Sequence, residues 1–296
     1  MIVMDKLLVS FSGGETSAFM AQWLWNHKRD EYDMIFVFAN TGEENEETLQ
    51  FIQRCSKYFG FPVVWIGAVT NPINGIGQSF DTVDFSTASR NGEPFESLIS
   101  KSGIPNTTTP HCTRDLKERP ISKYAKSIGW KDHYTAIGIR YDEADRYNKK
   151  AKEKRLIYPL ISMLPMTKPK INFWWSQQPF RLNLKGYQGN CKWCWKKSQK
   201  KLYTIANETP EAFEFPLRIE EKYGEYVPES RLMRMREKGK KPVLPVRFFR
   251  GNKSAKQIIN EAHNWDGSVS DDSQKFDFQL DLIGGESCEI YSECGS

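Results

Sequence analysis

No run of about 18 or more apolar residues occurs anywhere in the 296-residue chain, so no segment reads as a membrane-spanning helix. Ahead of the first apolar stretch stand Asp5 and Lys6, without the basic, apolar and small-residue order of a cleavable leader. A cytoplasmic location and no membrane partner are therefore expected. Internal repeats and long low-complexity tracts are also missing. Cysteine is scarce, six residues in all, and in a reducing compartment that usage favours metal or redox chemistry over disulfides. Neither G-x-x-x-x-G-K-[ST] nor G-x-G-x-x-G occurs, which sets aside a Walker loop and a dinucleotide fingerprint. What remains is 39% hydrophobic and 27% charged residues, the make-up of a globular protein with a sizeable core. A net charge of +5 is compatible with a nucleic-acid partner without demanding one.

The stretch "VSFSGGETSAFMAQWL", residues 9–24, joins a short apolar strand to a helix through two adjacent glycines. Gly13 and Gly14 allow backbone angles that other residues resist and remove side chains that would block a ligand. The free N–H groups of the new helix point into the turn, where the helix dipole favours an anion. Ser12, Thr16 and Ser17 add hydroxyls. The pattern is that of a phosphate cradle, and equally that of a plain strand-to-helix turn.

Strand and helix patterns alternate through the first half of the chain. A second buried strand, "DMIFVFAN", leads to an acidic turn and an amphipathic helix with Leu49, Ile52, Cys55 and Phe59 on one face, so Cys55 reads as core. "FPVVWIGAV" is a third strand, residues 70–110 a long polar excursion, "RDLKERPISKYAKSIG" a helix with a break or restart at Pro120, and "HYTAIGIRYDEADR" a strand running into a charged loop. This order predicts an α/β fold, a doubly wound and mainly parallel sheet covered on both faces. Ligands of such sheets bind at the carboxyl ends of the strands, so Gly13, Thr41 and Gly42, and Gly138 to Arg140 are expected on one rim. Residues 1–156 read as a nucleotide-binding core. Residues 157–216 read as an aromatic, cysteine-containing elaboration, and 217–296 as a basic helical region with an acidic tail.

Several segments together resemble one family. "SFSGGETS" looks like the pyrophosphate loop (PP-loop) of the adenine-nucleotide alpha-hydrolase-like superfamily. "FANTGEENEETLQFI", "HCTRDLKERPI" and "GIRYDEADR" are similar to the second-strand, cysteine and Gly-x-Arg segments of the phosphoadenosine phosphosulfate (PAPS) reductase family. The later "PLIS…TKPKINFWW…QPFRL…GNCKWCWKKSQKKL" resembles a branch common in bacteriophage and mobile elements. The resemblance implies that ATP or PAPS is bound by Ser10, Ser12, Gly13, Gly14, Thr16, Ser17, Asn40, Thr41, Gly42, Gly138, Arg140 and Arg146, with Arg140 also acting on the phosphate or sulfate in the reaction. Thr16 stands where ATP-cleaving members carry an aspartate, which bears on Mg²⁺ handling. Glu43, Glu44 and Glu46 could hold Mg²⁺ or could simply complement a helix start.

Cys191 and Cys194 form a C-x-x-C, a spacing that suits a metal, a cluster or a redox dithiol. In the family's iron–sulfur members a cysteine pair joins a later C-x-x-C. His111 replaces the first of that pair here. The resemblance thus implies a [4Fe–4S] cluster, with zinc as the alternative, on Cys112, Cys191 and Cys194; His111, Cys288, Cys294 or an exogenous ligand would complete it. Lys117 and the lysines near the C-x-x-C would offset thiolate charge and tune the cluster. "ECG" at 293–295 resembles the reductases' catalytic cysteine motif, which would make Cys294 a nucleophile, and reads equally well as an acidic tail.

Three functions follow as expectations. The first is ATP-dependent adenylation of an acceptor, with nucleic acid admitted as the acceptor, followed by displacement of AMP by a cluster-bound or persulfide sulfur from a donor protein. The second is a sulfonucleotide reductase working with a thiol reductant. The third is a nucleotide-binding subunit that has lost catalysis.

Overall fold

Leu7, Leu8 and Val9 are each at most 1% exposed, although consecutive strand residues point to opposite faces. Both faces of their strand must therefore be covered. The computed structural model, which describes residues 4–73 and 75–276, shows how. Six strands, β1 (Asp5–Ser10), β2 (Tyr32–Asn40), β3 (Val63–Val69), β4 (Ser79–Val83), β5 (Tyr134–Ile137) and β6 (Leu156–Ile157), form one sheet in the order β4-β3-β2-β1-β5-β6. All neighbours are parallel except β3 and β4. The α/β, mainly parallel architecture expected from the sequence is thus present.

Helices α1 (Glu15–Lys28) and α2 (Glu46–Phe59) cover one face. Their Phe19, Met20, Leu49, Ile52 and Cys55 pack with Leu7, Val9, Phe36 and Phe38, and burial holds the Cys55 thiol well above its usual range. The polar excursion is more ordered than its composition suggests: it contains β4 and α3 (Glu93–Ser102). On the opposite face α4 (Arg119–Ser127) places Ala125 against Leu8, Val37 and Ile66. Pro120 lies at the start of α4, which continues without a break from the helical segment before it, Glu118 and Arg119 both being αR. The segment before it, Arg114–Glu118, is a π-turn, a distortion that re-aims side chains and is frequent at functional sites.

Beyond β6 the chain runs through α5 (Pro159–Ser162), α6 (Lys168–Ser176), α7 (Gln199–Glu208), α8 (Glu214–Tyr223), α9 (Glu229–Glu237) and α10 (Ala255–His263). Trp175 of α6 joins the α1–α2 core. A second core gathers Phe95, Leu98 and Ile99 of α3, Leu116 of the π-turn, Trp193, Trp195, Leu202, Phe248 and Ile258. The cysteine-bearing loop is thereby built onto the carboxyl edge of the sheet, where Cys191 pairs with Glu44.

Candidate functional site

The glycine turn follows β1 at the carboxyl edge of the sheet. Gly13 has φ +80°, and a Cβ there would lie 2.6 Å from Thr48 Cγ2 and 2.8 Å from Ile52 Cδ1. Gly13 is therefore required by the close approach of α2. Gly14 is different: the nearest atom to a Cβ would be Ser12 Oγ at 3.8 Å, so its outer side is open. Gly14 caps α1 without a side-chain hydrogen bond, which leaves first-turn N–H groups for an anion. Ser17 donates to Gly14 O (2.9 Å) and receives a bond from Ser12 Oγ (2.9 Å), so these hydroxyls brace the turn from inside.

The Gly-x-Arg loop meets this turn directly. A Cβ on Gly138 would come within 3.2 Å of Ser17 Cα, and Arg140 Nη1 donates to Thr16 Oγ1 (3.3 Å). Arg140 also pairs with Asp142 (2.9 Å) and Glu143 (3.2 Å), and Arg146 pairs with Glu143. The two arginines thus sit at the rim, each held by carboxylates of its own loop.

At the end of β2, Glu44 is buried. Its carboxylate accepts from Thr41 N (3.0 Å), Thr41 Oγ1 (2.8 Å) and Asn40 Nδ2 (3.2 Å), and Lys117 Nζ lies 3.8 Å away. Thr41 Oγ1 is 3.7 Å from Cys191 Sγ. The backbone pairs Glu44 with Cys191, Lys192 N donates to Glu43 O (2.9 Å), and Asn45 Nδ2 to Gln188 O (3.0 Å). Asn40 and Thr41 therefore tie the strand end to the cysteine loop. Gly42, φ +84°, lets the chain pass beneath Gly92, whose N–H donates to Gly42 O (3.0 Å).

Glu43 is buried beneath Trp193, whose indole N–H donates to it. Burial pushes its carboxyl up to about 7, against the pull of Trp193 and Lys192. Of the three carboxylates considered for Mg²⁺, Glu43 holds Trp193, Glu44 holds Thr41 and Asn40, and Glu46 holds Arg90 at 2.7 Å.

The cysteine loop is folded by its own lysine. Lys197, 2% exposed, donates to Gly189 O (2.6 Å) and Cys191 O (2.9 Å). That lysine builds the loop rather than offsetting thiolate charge. Cys112, Cys191 and Cys194 are half-buried. All three act on Lys117: burial works against its charge, but Glu44 and the three cysteines outweigh it and raise its pKa. Burial likewise raises the thiols of Cys112 and Cys191. Among the described residues, no three His, Cys, Asp or Glu side chains are drawn together as a single metal ion requires.

One further observation fits anionic sulfur. The Trp195 indole N–H is buried without a hydrogen-bond partner, yet it acts on Cys112 in favour of the thiolate. His111 Nδ1 lies 2.9 Å from Thr109 O, and its Nε2 is buried without a hydrogen-bond partner. Cys288 and Cys294 lie outside the described residues.

Three contacts had no signal in the sequence. Arg181 holds Glu15, Trp193 holds Glu43, and Asn172 Nδ2 donates to the carbonyls of Asp272 and Lys275 (2.8 Å each).

No protein-family model matches the chain. The uncharacterized nin region protein ORF290 of Escherichia phage lambda is 35% identical over 200 residues, 66% of this chain and 67% of that protein. This bears out the phage kinship read from the C-terminal segments. The uncharacterized protein MJ0066 of Methanocaldococcus jannaschii is 24% identical over 149 residues, 50% of this chain but only 26% of that relative. Among solved structures, the U34-tRNA thiolase NcsA from Methanococcus maripaludis with its [4Fe–4S] cluster matches at TM-score 0.38 and 14% identity, over 99% of this chain and 76% of that one. A likeness that loose decides nothing about the site.

Proposed function

The chain belongs to the family of the phage lambda nin region protein ORF290, and for this member of it we propose an enzyme of sulfur chemistry that activates its substrate with ATP. The observation that carries the reading is the Asn40–Thr41–Glu44 network, which joins the carboxyl edge of the sheet to Cys191 and Lys117. A nucleotide seated on the glycine turn and a sulfur centre on the cysteines would then share one rim.

The phosphates of ATP sit at Gly14 and the first-turn N–H groups of α1, with Arg140 beside Thr16 at their flank. An acceptor oxygen attacks the α-phosphorus, the bond to the β-phosphate oxygen breaks, and pyrophosphate leaves. Backbone N–H groups stabilise the charge that develops on the leaving phosphates. A sulfide-level nucleophile then attacks the activated carbon and displaces AMP. Cys112, Cys191 and Cys194 would hold a [4Fe–4S] cluster, which supplies a sulfur-binding iron. Lys117 supplies positive charge beside the three cysteines, and Trp195 a donor to Cys112.

A second reading has its own observation. Arg181 Nη2, while holding Glu15, also donates to Ser273 O (2.6 Å), so the chain leading to Cys288 and Cys294 departs from beside the nucleotide turn. That suits a sulfonucleotide reductase, in which Cys294 attacks the sulfuryl sulfur, expels the nucleotide, and a second thiol releases sulfite.

Anaerobically purified protein decides between them. Iron and sulfide with pyrophosphate release from ATP are expected. Sulfite release from PAPS with ATP left intact would replace this reading by the reductase, and nucleotide binding without either reaction would make the chain a non-catalytic subunit.

A further inference from the structure

Helix α9 buries none of its nine residues. A short helix gains most of its stability from packing; here only Arg231, Leu232 and Met235 are partly covered, and the opposite side of the helix is open to solvent. The helix is basic. Arg231, Arg234 and Arg236 lie on it, and Lys238, Lys240 and Lys241 follow, all but Arg231 exposed. Glu229 and Glu237 oppose them, with Arg236 3.8 Å from Glu229. The balance remains strongly positive.

The position of α9 ties this surface to the cysteines. Asn106 Nδ2, six residues before Cys112, donates to Arg247 O (3.1 Å), three residues beyond Leu244. Ahead of α9, Pro228 approaches the end of α3, where a Cβ on Gly103 would meet it at 3.1 Å. On the other side of Cys112, Lys196 donates to Thr113 Oγ1 (3.1 Å) and Arg250 donates to Lys196 O (3.2 Å). Cation-bearing stretches 113–119, 192–201 and 247–250 are thus joined around Cys112.

Apolar side chains are interleaved with these cations. Met233 is 54% exposed, Val243 71% and Leu244 45%, with Tyr226 close by in sequence. A duplex offers only phosphates to such a face. A single strand also offers the flat faces of unpaired bases, which aromatic and apolar side chains can cover. The cysteines are half-buried, so a reacting base must also leave any stack to reach them.

We propose that α9 and residues 238–244 form the docking surface for a single-stranded nucleic acid, whose phosphodiester backbone runs along the cations while one nucleotide enters the recess at Cys112, Cys191 and Cys194. The inference rests on the reading of that recess as the reaction site, and it names the acceptor class.

The test is equilibrium binding of short fluorescein-labelled single-stranded RNA, single-stranded DNA and duplex DNA to the full chain across a range of salt. Either single strand is expected to bind more tightly than duplex, and the stronger of the two identifies the source. Replacing Arg234, Arg236 and Lys238 together by alanine should weaken binding about tenfold and lower the salt slope by about 2, since each phosphate contact on a single strand contributes roughly 0.7. Replacing Lys149, Lys150 and Lys152 in the loop before β6 should change neither. Equal loss in that control, equal binding of duplex, an unchanged slope in the α9 variant, or binding to phosphatidylserine vesicles instead of strands would each overturn the proposal. All six substituted residues are exposed, so folding is preserved, and melting temperature verifies it. ATP affinity, measured on the same samples, keeps the two claims apart: a wild type that binds strands but not ATP refutes the nucleotide reading and leaves the surface standing.

Discussion

Arg181 grips Glu15 with both arms of its guanidinium, Nε and Nη2 each 2.9 Å from a carboxylate oxygen. Glu15 is the first residue of α1, directly after the glycine pair, and only 8% exposed. Leu182 N adds a third bond to it (3.3 Å), and Trp175 Nε1 holds its backbone oxygen (3.0 Å). A carboxylate at this point competes with any phosphate for the positive end of the helix. The bidentate fork turns it away from the turn and neutralises it. A residue from beyond the sheet thereby sets the charge at the start of α1.

Removing the arginine while keeping the carboxylate should show this. Arg181→Gln is expected to weaken pyrophosphate and ATP binding about tenfold, near 1.4 kcal/mol, and to lower the melting temperature. Adding Glu15→Gln should restore the affinity, because the uncompensated charge is then gone. Calorimetric titration of the two variants checks it. Loss without rescue would mean that Arg181 serves only to hold the fold.

Glu43 makes stability depend on pH. Its carboxyl is raised to about 7 by burial, so the folded protein binds a proton that the unfolded chain releases near pH 4.5. The contribution is fully present below that value and is lost as pH rises through about 7. Glu43→Gln keeps the bond to Trp193 and abolishes the titration. The variant should gain up to about 3 kcal/mol on the wild type between pH 5 and 8. Parallel pH curves in chemical denaturation would contradict this.

The cysteines and Trp195 should separate holding from tuning. Cys112→Ala, Cys191→Ala and Cys194→Ala are each expected to lose iron and sulfide. Trp195→Phe should keep both while its reduction potential becomes more negative, since a donor to anionic sulfur is removed. Visible absorption and a redox titration read the two effects. Zinc at one per chain without sulfide would defeat the cluster.

Continuous apolar runs made the sheet legible, because β1, β2 and β3 bury both faces. The glycine turn and the C-x-x-C were legible as local spacing. The π-turn was not, since nothing in "RDLKE" distinguishes one extra residue per turn from an ordinary helix. Gly13 and Gly14 looked equivalent, and only the approach of α2 separates a packing glycine from an open one. The acidic run at 43–46 suggested a cation site because its partners, Trp193, Lys117 and Arg90, lie 44 to 150 residues away in the chain. Arg181 gave no signal for the same reason. Long-range polar pairs leave no periodicity to read.

Gly14→Asp tests the central claim most directly. Its Cβ enters open space, so the fold should stand, while the new carboxylate occupies the phosphate seat. Calorimetric titration with ATP should show binding to the wild type and none to the variant at an unchanged melting temperature. Equal ATP affinity in the two proteins would remove the glycine turn, and with it the shared rim of nucleotide and cysteines, from the chemistry of this chain.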